Sequence, residues 1–186
     1  MADWPKDVLD LSPFGGFSTA GEGCPVADLL LTTGPGMTSN ANVWPLANLA
    51  MYFPIVTRRE ITLYQLGWQN GGAVTGHVDV GVYDNNQNRL VSAGSTVQSP
   101  ISTIQLVDIA DTTLPPGVYY LAMAADTGTG QNFRGTTVGS GNTGTLRACG
   151  AAQQATAFPL PSTATFAAIT QVMVPLVFGA IEGATI

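Results

Sequence analysis

His77 and Asp79 stand two residues apart in Gly76-His-Val-Asp-Val-Gly-Val-Tyr83, a run that alternates in polarity. Period-two alternation marks a half-buried strand. It puts both side chains on one face and Val78, Val80 and Val82 on the other. An imidazole beside a carboxylate supplies two members of a nucleophilic triad. The third must be a presented hydroxyl, and no Gly-x-Ser-x-Gly elbow occurs in the chain. His77 is therefore expected to be a surface or interface histidine bonded to Asp79, and the protein is expected not to be an enzyme.

Other spacings suggest chemistry and fail on closer reading. Gly139-Ser-Gly-Asn-Thr-Gly144 has the glycine spacing of a dinucleotide loop. That mechanism needs a preceding strand and a following helix N-terminus to hold pyrophosphate. Thr145-Leu-Arg-Ala-Cys-Gly150 does not read as a helix, so a plain glycine loop is expected. Asp84-Asn-Asn-Gln-Asn88 places oxygen ligands at the first, third and fifth positions of a calcium loop. Arg89 and Ser95 then stand where glycine and glutamate are required. A turn built on Asx bonds explains the run better. One histidine and two cysteines, Cys24 and Cys149, cannot supply a standard metal set. No cofactor or metal is expected. Two small buried thiols are the preferred reading of the cysteines, although a disulfide would close a long loop.

Carboxylate pairs for glycoside hydrolysis are equally hard to place. Glu60 and Glu182 lie far apart, and Asp108 and Asp111 read as turn residues. Trp44, Trp68, Tyr64, Tyr83, Tyr119 and Tyr120 could stack on sugars. Such residues also form sandwich cores and interface anchors, which is the preferred reading.

The elements that must position these residues are strands. Ala50 to Val56, Glu60 to Trp68, Val74 to Tyr83, Arg89 to Gly94, Thr103 to Ile109, Val118 to Ala125 and Val172 to Phe178 read as β. Turn signals at Asn70-Gly-Gly, Asp84–Asn88 and Leu114-Pro-Pro-Gly117 divide them. Pro54 suggests an edge or a bulge. No amphipathic helix is evident. Short strands with such punctuation predict a β-sandwich or barrel. Tyr64, Leu66 and Trp68 alternate with Ile61 and Leu63, so that strand reads as apolar on both faces. Extra apolar faces predict a neighbouring subunit.

The 186 residues suit one domain. Residues 1–48 are irregular, and an extended N-terminal arm is expected there, with a loose tail as the alternative; residues 49–186 form the sandwich. Charged residues make up 10% of the chain, with a net charge of −6. The first 28 residues carry five acids and the only lysine, so the remainder is nearly neutral. Nucleic acid is excluded as a partner, since Arg58–Arg59 is the only adjacent basic pair. Val172 to Ile181 is too short and too broken by Pro175 and Gly179 to span a membrane. A near-neutral surface gives little self-repulsion. It suits a protein that lies against copies of itself.

Several stretches carry a resemblance: Trp44-Pro-Leu-Ala-Asn-Leu-Ala-Met-Tyr-Phe-Pro54, Leu66-Gly-Trp68, Gly76-His-Val-Asp-Val-Gly-Val-Tyr-Asp84, Arg89-Leu-Val-Ser-Ala-Gly-Ser95 and Leu114-Pro-Pro-Gly-Val-Tyr-Tyr-Leu-Ala122. Residues 44–125, and more faintly Phe158-Pro-Leu-Pro161 to Phe178, resemble small β-sandwich proteins of tailed bacteriophages, found in virions or associated with fibres. The resemblance implies a jelly-roll-like antiparallel sandwich on the exterior of a phage particle, as head decoration, fibre or tail adsorption component. It implies a homo-oligomer, with a trimer expected for a fibre or spike, and contacts with other virion proteins. A carbohydrate-binding module for host surface glycans is the alternative. No catalytic residue transfers.

Overall fold

The computed structural model describes residues 29–31, 40–138 and 143–181. Fourteen strands run in order: β1 (Leu29–Leu31), β2 (Asn40–Val43), β3 (Ala50–Thr57), β4 (Ile61–Gln69), β5 (His77–Asp84), β6 (Arg89–Ser92) and β7 (Thr96–Val97), then β8 (Ile104–Leu114), β9 (Gly117–Ala125), β10 (Asn132–Thr137), β11 (Ala152–Gln154), β12 (Ala167–Ala168), β13 (Met173–Pro175) and β14 (Val177–Ala180). One short helix, α1 (Thr143–Ala148), lies between β10 and β11. All pairings are antiparallel and form three sheets: β1-β14-β4-β8, β13-β10-β2, and β12-β11-β3-β9-β5-β6 with β7 also on β5. The chain is an all-β sandwich, as the strand pattern predicts.

Alternation decides which residues meet in the middle. Met51, Phe53 and Ile55 of β3, Val78, Val80 and Val82 of β5, and Leu121 and Met123 of β9 share one core. Ile61, Leu63, Leu66 and Trp68 of β4 join it from the facing sheet. That last set contradicts the two-faced reading of β4. The β4–β8 register shifts between Leu63 and Gln65. Between those pairs Tyr64 of β4 stands against residues 109–111 of β8, and the alternation of β4 reverses across this irregularity. Residues on both sides of it thereby face inward, and Tyr64 is left outside.

The large sheet does have a second apolar face, but this chain covers it. Ala50, Tyr52, Tyr83, Ala122 and Ala124 point away from the main core. They pack against Ala157, Leu160 and Ala164, with Phe158, Phe166 and Tyr120 at the margin. Residues 155–168 thus form a strap across the outer face, so this second apolar face is covered within the chain.

Other boundaries differ as well. β1 pairs β14 and β2 pairs β10, and Trp44 is fully buried. Part of the expected arm therefore belongs to the sandwich, since a buried indole and two ladders fix it there. Residues 1–28 and 32–39 lie outside the described residues. The expected last strand is two strands, β13 and β14, in different sheets. Leu176 sits at the crossing: its N–H donates to Arg134 O (2.9 Å) and its carbonyl accepts from Gln69 N (3.3 Å). β10 falls in a Gly/Thr-rich stretch where no strand was expected. Asp108 and Asp111 lie within β8, not at a turn. Pro54 is tolerated because β11 pairs only Ala50 to Tyr52 of β3, so no ladder partner stands beside it on that edge.

Candidate functional site

At one end of the sandwich the connections β4–β5, β7–β8 and β9–β10 meet, held by neutral amides. Trp68 Nε1 donates to Asn70 Oδ1 (2.8 Å), and Asn70 Nδ2 donates to Pro100 O (2.8 Å) and Gln105 Oε1 (3.1 Å). Gln105 Nε2 donates to Val97 O (2.8 Å), while its Oε1 also accepts Ser99 N–H (2.9 Å). Gln98 accepts from Thr75 N (3.2 Å) and donates to Asn132 O (2.8 Å). Gln131 donates to His77 O (3.1 Å) and accepts from Thr127 N (3.0 Å). Asn70, Gln98 and Gln131 are buried. Buried amides bonded at both ends fix loop conformation without introducing charge.

His77 stands on this framework, at the start of β5, with its side chain 44% exposed. Its partner is Asp126, not Asp79. Asp126 Oδ2 lies 3.1 Å from Nδ1, and Oδ1 accepts the His77 backbone N–H at 2.9 Å. A carboxylate accepts, so Nδ1 carries the proton and Nε2 is left as the outward-facing atom. Gly76 makes this possible. It has φ +65°, and a Cβ there would stand 2.2 Å from Asp126 Oδ1. Register explains why the sequence pointed elsewhere: Val78 pairs Ala125, the last residue of β9, which brings Asp126 just beyond it beside His77. Only the β5–β9 register reveals it. The dyad can orient an imidazole for proton transfer or ligation. None of the hydrogen bonds around it brings a hydroxyl nucleophile to Nε2.

Asp79 is fully buried beneath the strap. Its Oδ2 accepts Leu160 N–H at 3.0 Å and lies 3.5 Å from Ser92 Oγ. Oδ1 makes no hydrogen bond. Burial pushes its pKa above the usual carboxylate range; the Leu160 amide, Ser92 and the Arg89 charge pull the other way without cancelling it.

The aromatic candidates do not assemble. Trp44 is buried edge-on to Phe133 and donates to Leu49 O at 3.2 Å. Trp68 is buried on Asn70. Tyr83 donates to Pro161 O (2.6 Å) and Tyr119 to Pro115 O (2.9 Å). Tyr120 packs edge-on against Phe166. Tyr64 alone of the six is exposed. Trp44, Trp68, Tyr83 and Tyr119 are core and framework residues, because their polar tips found partners inside.

The Asp84 loop is the predicted Asx turn: Oδ1 accepts the Asn86 and Asn88 N–H groups, each at 2.8 Å. Among the described residues no three His, Cys, Asp or Glu side chains cluster as a metal site. The expectation of no helix after Gly144 is corrected by α1. The helix has six residues, and the strand before it, β10, lies in an antiparallel sheet, so there is no βαβ unit. Gly139 to Asn142 of that loop, and Cys24, lie outside the described residues. Cys149 is a free thiol, its pKa raised by burial. No described helix is long and apolar enough to cross a membrane. Comparison with family models, curated proteins and solved structures finds no match.

Proposed function

We propose that the protein is a non-enzymatic structural component of a tailed-bacteriophage virion, on the particle exterior as head decoration, fibre or tail adsorption protein, and that it assembles with copies of itself. The observation that carries self-assembly is the edge strand β8. It is the longest strand, with 11 residues, and it ends the four-stranded sheet. No described strand pairs with its outer side. β6 comes near it without joining the ladder.

Long open edges invite another strand, and monomeric proteins blunt them with charges, above all lysine, with proline, with a bulge or with a cover; the irregularity of β8, at residues 109–111, is read against β4 on its inner side. β8 contains neither lysine nor proline. At its start Val97, Ile101 and Ile104 are exposed, by 58%, 55% and 40%. Its charges are Asp108 and Asp111. Paired antiparallel with a second copy about its midpoint, Ile109, β8 sets Asp108 opposite Ala110 and Asp111 opposite Val107. No acid then faces an acid. Such a contact is two-fold and builds a dimer; a trimer needs another surface. The phage setting rests on the resemblance over residues 44–125. The glycan-binding alternative loses Trp44, Trp68 and Tyr83 to the interior.

Light scattering of the purified chain tests the assembly. A dimer or larger even-numbered species is expected, and a monomer at tens of micromolar would overturn the edge contact. The N-terminal arm is proposed to attach the sandwich to the particle, and particle incorporation tests it. The deletion must stop at Asp28, because removing more takes away β1 and β2. Residues 29–186 are expected to fold and to be excluded from the particle.

A further inference from the structure

The strap reaches the sheet through one cluster of polar groups. Arg89 Nη1 donates to Leu160 O, and Arg89 N donates to Ser162 O at 2.8 Å. Tyr83 donates to Pro161 O at 2.6 Å. Asp79 Oδ2 accepts Leu160 N–H at 3.0 Å. Farther along, Ala164 N donates to Gln87 O (2.8 Å) and Ala157 N to Asn48 O (2.7 Å). Leu160 is thus held at both its amide and its carbonyl, and Asp79 is the member of the cluster that can change charge below the phenol range.

Burial, not its contacts, disfavours the Asp79 anion. The side chain is sealed from water and Oδ1 has no partner. The Leu160 amide, Ser92, the Arg89 charge and the Gly94 backbone each favour the ionised form, yet together they do not offset the lost hydration, which an open strap would restore. Arg89 on β6 faces it, and Tyr83 lies on its own strand. Its in-register neighbour on β9 is Ala124, and Leu160 on the strap brings no titratable side chain.

We propose that Asp79 is a proton-controlled latch for the strap: residues 155–168 sit firmly on the sheet while the carboxyl is protonated, and loosen when it ionises. The sign follows from the site. The folded protein holds this proton more tightly than the unfolded chain. The stabilisation is therefore complete in acid and is lost as pH rises through the folded value. Loosening exposes the apolar face around Tyr52, Ala122 and Ala124. The device operates in a single chain, whether or not copies assemble.

Amide hydrogen exchange tests it, read as protection at Leu160 and Ala164 against Met123 in β9. Between about pH 4 and about pH 8, protection at the strap amides is expected to fall tenfold or more while Met123 is unchanged. In Asp79→Asn the pH dependence should vanish, with Asp111→Asn, at an exposed position of β8, as the control. A flat wild-type profile, or an Asp79→Asn variant that keeps the slope, overturns the proposal. If Asp79→Asn does not fold, NMR titration of the wild-type Asp79 carboxyl carbon decides. A midpoint above the ordinary value of about 3.9, coincident with the loss of protection, supports the latch; an ordinary midpoint overturns it.

Discussion

Phe53, Leu121 and Val82 form a row across β3, β9 and β5 on the inner face of the large sheet. Tyr52, Ala122 and Gly81 form the next row on its outer face. Both rows are buried, by different means. The inner row meets Trp68, Leu66 and Leu63 from a facing sheet, and large side chains fill the gap. The outer row is made small by alanine and glycine, and a strap of chain lies close upon it. At Gly81 a Cβ would stand 2.9 Å from Val91 O and 3.0 Å from Leu160 Cδ1. Small residues release little free energy per residue on burial, at about 25 cal/mol per Å². The strap therefore depends on its hydrogen bonds to Asp79, Tyr83 and Arg89. The inner row carries no titratable group, whereas the outer face carries titratable groups at its points of attachment.

The comparison breaks first at Trp68. Trp68→Ala removes a buried indole and strands Asn70 Oδ1, so a loss of about 3–5 kcal/mol is expected, read as a shifted urea midpoint. A loss below about 1 kcal/mol would mean that the inner face is not the main store of stability. Leu160→Ala comes next. Leu160 is 2% exposed, and about 2 kcal/mol is expected, the low end for such a truncation. Exchange at Ala164 should rise more than exchange at Met123. Equal rises would show that strap and core open together.

Tyr83→Phe is smaller. It deletes the bond to Pro161 O and should cost about 1 kcal/mol. The same face has an alkaline signature. Burial pushes Tyr52 up to about 12, and Tyr83 also lies above the usual phenol range for the same reason. A phenol raised on folding stabilises the fold below its unfolded value of about 10 and loses that contribution as pH climbs through the folded one. Urea midpoints are expected to fall between about pH 10 and pH 12, and less steeply in Tyr83→Phe.

These contrasts were partly legible in the sequence. The alternation of Val78, Val80 and Val82 assigned the inner face of β5 correctly, because period-two burial is written residue by residue. The Asx turn at Asp84 was legible for the same local reason. What could not be read was set by long-range register. The irregularity at Tyr64 reversed the inferred faces of β4. The β5–β9 register gave His77 to Asp126 and sent Asp79 under the strap. The strap itself, Ala- and Pro-rich, has no periodicity, so its cover of the outer face had to come from tertiary packing. Likewise nothing local told an indole in the core from one on a sugar platform. The facing sheets bury Trp44 and Trp68, and their N–H groups find acceptors in Leu49 O and Asn70 Oδ1.

The smallest expected effect on stability concerns a third surface, the β8 edge, which neither face covers. Ala110 is exposed, so changing it should move monomer stability by no more than about 0.5 kcal/mol. In the proposed two-fold pairing it faces Asp108 of the second copy, and symmetry presents that pair twice. Ala110→Glu sets like charges opposite each other and Ala110→Lys sets opposite ones. Cross-strand pairs are worth about 0.2–1 kcal/mol each. The two variants should therefore separate in dimer dissociation constant by about tenfold or more, the lysine variant tighter and the glutamate variant weaker than wild type. The gap should narrow in high salt, because both pairs are exposed. Two variants that weaken assembly alike would show that bulk matters there and charge does not, placing a different residue opposite Ala110. Two variants that leave assembly untouched would remove β8 from the interface.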